Sequence, residues 1–288
     1  MPVGDNPTSQ LRRLRTELRH QRDARGLTQR EVAEALDWSP SKLIRIERGP
    51  VGISVTDVRA LLQHYQVTDQ QQVDALVDLA RASKKPAWWH RYRDFYEPQF
   101  LTFLGLEASS VRIRQYQGLV VPGLLQHPDY VRAMFEPYGY DDDRVARGLE
   151  VRTTRQRLLD PGGPELAFLL DESVLHRIVG SPDVMRTQLR RLVELQALPD
   201  VTIRVVPFSV GVHRGMKGSF AIFQLSDDQD DYALQLEQPY EDRLIQDTSE
   251  ETREYVNIFR DLEQVALSPG DSTALIEHVM ASMGGGAH

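Results

Sequence analysis

Residues 28 to 49, TQREVAEALDWSPSKLIRIERG, constrain this chain more than any other stretch. They encode two short helices joined by a tight polar turn. Thr28 and Glu31 form the Ser/Thr-x-x-Glu pattern in which two side chains satisfy orphan amides at a helix start. Val32, Ala33 and Leu36 then fall on one helical face, predicting a helix from Thr28 to about Leu36. Asp37 and Trp38 fill the turn. Ser39 caps the second helix, and Pro40 takes its first position, where a missing N–H costs nothing. Leu43 and Ile46 point inward, and Gly49 is expected to end the helix.

Two helices joined this closely, the second carrying Ser41, Lys42 and Arg45 outward, make a helix-turn-helix pattern. In that geometry the first residues of the second helix reach base edges. Pro40 can offer apolar contact only. Arg45 is the expected carrier of base specificity, followed by Lys42, with Ser41 beside them. Thr28, Gln29 and Ser39 stand at helix starts, where amides and side chains meet phosphate; capping alone also accounts for Thr28 and Ser39. Thr-Gln at the first helix start, Ala33, Ser39 and Ile-Glu-x-Gly at 46 to 49 resemble the Cro/repressor-type (XRE) family over about the first quarter of the chain. Asp37 departs from that family's usual Gly, although Asp tolerates a left-handed backbone. The resemblance implies that Arg22, on a preceding helix, pairs with Glu47 as a structural ion pair.

The 288 residues suggest two domains. A hydrophobic fraction of 41% and a charged fraction of 26% are those of ordinary soluble proteins, which sets aside a disordered or fibrous chain. There is no cysteine, so disulfides, thiolate metal sites and cysteine nucleophiles are excluded. No apolar run approaches the roughly 18 residues of a membrane span, and the first residues lack a secretory core, so a cytoplasmic location is expected. The net charge is −8. It is unevenly placed: residues 9 to 48 hold ten Lys/Arg and six Asp/Glu, a local +4, which leaves −12 for the rest. A basic module on an acidic body suits a DNA reader with a separate regulatory part.

Around the central stretch the periodicity predicts a polar lead over 1–8, an Arg-rich helix at 10–25, and helices at 54–65 and 69–83, completing a five-helix domain over 9–83. Pro86 breaks the pattern, and Lys84 to His90 marks the expected boundary. Residues 86–283 read as an α+β domain. Its strands are expected at 111–116 (as an edge strand), 165–170, 201–207, 218–225 and 231–237; residues 121–134 read as a turn and then a helix, and further helices are expected at 141–159, 182–198, 249–266 and 269–283. A flexible GGGAH end is expected.

PGLLQHPDYVRAM at 122–134, LDESVLHRIVG at 170–180, VTIRVVPFSVGVHRGMKGSFAIF at 201–223 and the closing LSPGDSTALI resemble one group. It is the actinobacterial regulators, WhiJ-like members included, that join an XRE helix-turn-helix to a C-terminal domain of unknown function. The resemblance implies a transcription factor, encoded in many cases beside a small partner protein, with an antitoxin-like relationship in some members. A homodimer on two-fold double-stranded DNA is expected, because a single helix-turn-helix makes few contacts.

No catalytic set, cofactor or metal is expected. Asp171, Glu172 and His176 place only Glu172 and His176 on one helical face, without a third ligand. The loop GVHRGMKGS, with His213, Arg214 and Lys217, matches neither phosphate-binding glycine pattern and reads as a hairpin turn.

Overall fold

The computed structural model describes residues 6–48, 52–226, 231–238 and 240–283. The expectations for Gly49 as a helix stop and for a flexible 284–288 end lie outside them. The chain divides into two compact units, breaking between Ser109 and Ser110.

The first unit is all-helical: α1 Pro7–Ala24, α2 Gln29–Ala35, α3 Pro40–Arg48, α4 Val55–His64, α5 Gln70–Ala82, a short 3-10 turn Trp88–Tyr92, and α6 Pro98–Ser109. Leu14, Leu18, Val32, Leu43, Ile46, Leu61 and Val77 meet in one core. Each is an inward position of a helical stripe, and their burial is what makes such short helices stable. Residues 6 to 8 are not a loose lead. Asn6 caps α1 from its side chain, and the same amide donates to the Ala108 carbonyl at 2.8 Å while accepting from Ser109. Thr8 packs so closely on Gly105 that a Cβ there would meet its hydroxyl. These bonds tie α6 to α1 and carry the first unit past Lys84–His90, where the change of composition lies.

The second unit is built on a six-stranded mixed sheet of order β3-β2-β1-β4-β5-β6. The strands are β1 Arg112–Gln117, β2 Glu165–Asp171, β3 Val201–Val206, β4 Phe220–Gln224, β5 Tyr232–Leu236 and β6 Arg243–Ile245. Strands β1 to β3 run parallel, and β4 to β6 continue antiparallel. Between β1 and β2 lie α7 Pro128–Phe135 and α8 Asp142–Arg155, and between β2 and β3 lie α9 Ser173–His176 and α10 Pro182–Leu195. Helices α11 Glu250–Val265 and α12 Pro269–Ser282 close the unit. Phe259, Leu262 and Val256 of α11 cover Tyr116, Phe220 and Leu234 of the sheet, while α12 packs on α10 and β3.

Two expectations fail here. Strand β1 is not an edge: it pairs β2 on one side and β4 on the other, with Tyr116 opposite both Leu169 and Phe220. The alternation of VRIRQY suits an edge strand equally well, but here Arg112 lies at the strand's start and reaches Glu165 of the neighbouring β2. Residues 211–219 are not a hairpin turn either. Strands β3 and β4 are separated by β2 and β1, so the segment must cross the end of the sheet. It does so through short 3-10 turns at Phe208–Val210 and Arg214–Lys217.

Candidate nucleic-acid interface

The turn between α2 and α3 is a hydrogen-bonded helix stop. The Trp38 amide donates to Ala33 O at 2.8 Å and the Asp37 amide to Glu34 O at 3.3 Å. This is the Schellman arrangement, which needs a left-handed residue, and Asp37 supplies it at φ 53°. Thr28 Oγ1 accepts from the Glu31 amide while the Glu31 carboxylate accepts from the Thr28 amide at 2.8 Å. That reciprocal bond, led by the backbone donor, holds the Glu31 carboxyl below its ordinary range. Ser39 Oγ accepts from the Lys42 amide at the start of α3.

Helix α3 is fixed from behind. The Arg22 guanidinium forks onto Glu47, Nε to Oε1 at 2.8 Å and Nη2 to Oε2 at 3.0 Å. Nη1 also donates to the Leu27 carbonyl. The Glu47 side chain is only 2% exposed. Gln29 adds its side-chain amide to Glu47 Oε2 at 2.6 Å, so the start of α2 is tied to the end of α3. The hydrogen bond to Glu47 raises the Arg22 pKa against the opposing effect of burial. Tyr65 lies beside the pair, and its own pKa is raised, first by burial and then by the Glu47 charge.

With Leu43 and Ile46 inward, the outward face of α3 holds Pro40, Ser41, Ile44 and Arg45, all exposed. Arg45 makes no ion pair among the described residues. Lys42 does not share that face. Its ammonium lies 2.7 Å from Asp57 Oδ1 and 3.7 Å from the centre of the Trp38 ring, bridging the turn to α4. Ile44 was missed by reading charge alone. Its exposure follows from the helical spacing, since it stands three residues from Ser41 and next to Arg45.

In the second unit the residues with chemical potential are regrouped by topology. Strands β1, β2 and β3 end at one edge of the sheet, and the crossing segment 207–219 lies over it. His213 thereby reaches Asp171, Nε2 to Oδ2 at 3.3 Å, and stacks edge-on to Tyr116. Asp171 Oδ1 accepts from the Ser173 amide at 2.9 Å. The Tyr116 pKa is raised by burial and, secondarily, by the Asp171 carboxylate. Glu172 and His176 meet at 3.4 Å on one helical turn. The Asp171–His213 pair joins positions 42 apart, which no local spacing reveals. Arg214 leaves this group for Glu254 and Asp261 of α11.

No helix among the described residues is long and apolar enough to cross a membrane. A search of curated proteins and a search of solved structures each returned no match. Residues 13–76 match the family described as Helix-turn-helix domain, which contains the whole α2–turn–α3 arrangement. Residues 100–278, well over half of the chain, match the family described as Domain of unknown function (DUF5753), and to that family, with a helix-turn-helix domain placed before it, this chain belongs.

Proposed function

We propose that this chain is a sequence-specific, non-enzymic transcriptional regulator of the XRE type, reading double-stranded DNA through the outward face of α3. The observation that carries the proposal is the contrast between that helix's two faces. The inner face is bolted down by Arg22, Gln29 and Glu47, while the outer face presents Arg45, exposed and without an ion pair among the described residues, flanked by Ser41 and Ile44. Rigid presentation of a guanidinium is what bidentate reading of guanine O6 and N7 requires. Ile44 and Pro40 suit a thymine methyl. Lys42, held by Asp57 and Trp38, serves to position the turn. Thr28, Gln29 and Ser39 bring helix-start amides toward phosphate.

Replacing Arg45 by Ala and measuring affinity across a library of operator variants tests the assignment. We expect a loss of about 1–3 kcal/mol confined to sites carrying the cognate base pair. An equal loss on every sequence would make Arg45 a phosphate contact.

A homodimer on half-sites about one helical turn apart follows from the small reading surface. Sedimentation of the free chain as a monomer that stays one-to-one on operator DNA would refute it. The second unit is the seat of control, by a small partner protein or a ligand. The group resemblance of residues 122–276 to actinobacterial, WhiJ-like and antitoxin-like regulators supports the partner, and an acidic body suits a basic one.

A further inference from the structure

The edge of the sheet where β1, β2 and β3 end is hollow. A cavity of about 650 Å³ opens there, bounded by Tyr116 and Ser173 on one side and by the crossing segment 207–219 on the other. Its size is that of a small-molecule site, and the carboxyl ends of parallel strands beside a reversal of strand order are where open α/β sheets bind ligands. The order β3-β2-β1-β4 contains such a reversal, since the chain leaves β1 toward β2 and returns to its other side at β4.

The lining has a definite chemistry. Leu119, Phe208, Val212 and Met216 all line the cavity and are all exposed, Val212 by 92%. Four large apolar side chains left in water around one opening are costly unless something covers them. The charges are unequal in their freedom. Asp171 has both oxygens engaged, by the Ser173 amide and by His213, so its charge is satisfied within the protein. Arg177, which also lines the cavity, makes no ion pair among the described residues. The unspent charge of the site is therefore positive. A guanidinium at the rim of an apolar hollow pairs best with a carboxylate, which it can grip with two parallel bonds.

We propose that this cavity binds a small aromatic or branched apolar carboxylate, its body against Phe208 and Met216 and its acid group on Arg177. The occupant is then the effector of the regulator, a role that rests on the DNA-reading proposal above. Binding itself does not.

The test uses the full chain and three probes with one body: 1-naphthoate, 1-naphthylmethanol and 1-naphthylmethylamine, followed by calorimetric titration. We expect saturable one-to-one binding of 1-naphthoate, at least tenfold tighter than of the alcohol, with the amine weakest. Arg177→Gln, at an exposed position, should bring naphthoate down to the level of the alcohol. The double variant Val212→Ser with Met216→Ser should weaken both alike. Failure of naphthoate to saturate, or an unchanged affinity in Arg177→Gln, would overturn the site. Because these titrations contain no DNA, they stand whether or not the chain reads an operator. Where operator binding is found, saturating naphthoate should change operator affinity severalfold in the parent chain and leave it unchanged in Arg177→Gln. An unchanged affinity in the parent would reject the effector role and leave the site standing.

Discussion

Glu47 shows how much one side chain can decide. Placed on the reading helix, it would be expected to repel phosphate, yet it is buried and shared between Arg22 and Gln29. A buried ion pair is weak as a net stabiliser, but the loss of one partner strands the other without water. Glu47→Ala should therefore cost the first unit about 3–5 kcal/mol in denaturant unfolding. The double variant Arg22→Met with Glu47→Leu should recover most of it. A double variant as unstable as the sum of its singles would show that the pair acts through something other than mutual compensation. Asp37 is a second such residue. Its left-handed backbone carries the Schellman bonds that set the angle between α2 and α3. Asp37→Gly should be neutral or stabilise by up to about 1 kcal/mol, whereas Asp37→Val should destabilise by about 1–2 kcal/mol. A Val variant as stable as the parent would mean the turn is free to take another form.

Secondary elements were legible wherever a cap and a stripe agreed. Thr28, Ser54, Asp69, Ser181, Ser249 and Ser268 each cap the helix that periodicity predicts after them. What escaped the reading was pairing between distant strands. Nothing local to residues 112–117 tells that β2 and β4 will flank them, and nothing near His213 points to Asp171. Strand β6, three residues long, and helix α6, apolar on most sides, gave no clear period. Arg204 belongs to the same class of distant relation. From β3 its guanidinium donates to the carbonyls of Glu263, Ala266 and Leu267, at 2.7 to 2.8 Å, and so caps the C-terminal end of α11. Three carbonyls at a helix end suit a planar fork and the negative end of the helix dipole. Arg204→Lys should thus recover little of what Arg204→Ala loses, about 1–3 kcal/mol. Full rescue by Lys would reduce the role of Arg204 to charge alone.

At the scale of the whole molecule the chain falls into two compact units, and its tryptophans report on one of them. All three tryptophans, Trp38, Trp88 and Trp89, lie in the first unit, so tryptophan fluorescence follows that unit while far-ultraviolet dichroism follows both. The second unit holds a carboxyl group whose titration can be used as a label. Glu237, at the end of β5, is pushed up to about 7 from an ordinary 4.5, chiefly by burial. The hydrogen bond from Gln117 and the nearby Arg155 oppose the rise, and Asp242 adds to it. Between about 4.5 and 7 the folded unit keeps a proton that the unfolded chain has released, so folding is favoured at low pH and the advantage is lost as pH rises through 7. The second unit should weaken by about 1–3 kcal/mol between pH 5 and pH 8, a partial share of a shift of this size for a group that is not wholly buried. Glu237→Gln, which keeps an acceptor for Gln117 without a charge, should flatten this slope in the dichroism transition. The tryptophan transition should not move if the first unit, compact by itself, also unfolds by itself. A tryptophan transition that shifts with Glu237→Gln would mean that the two units unfold as one.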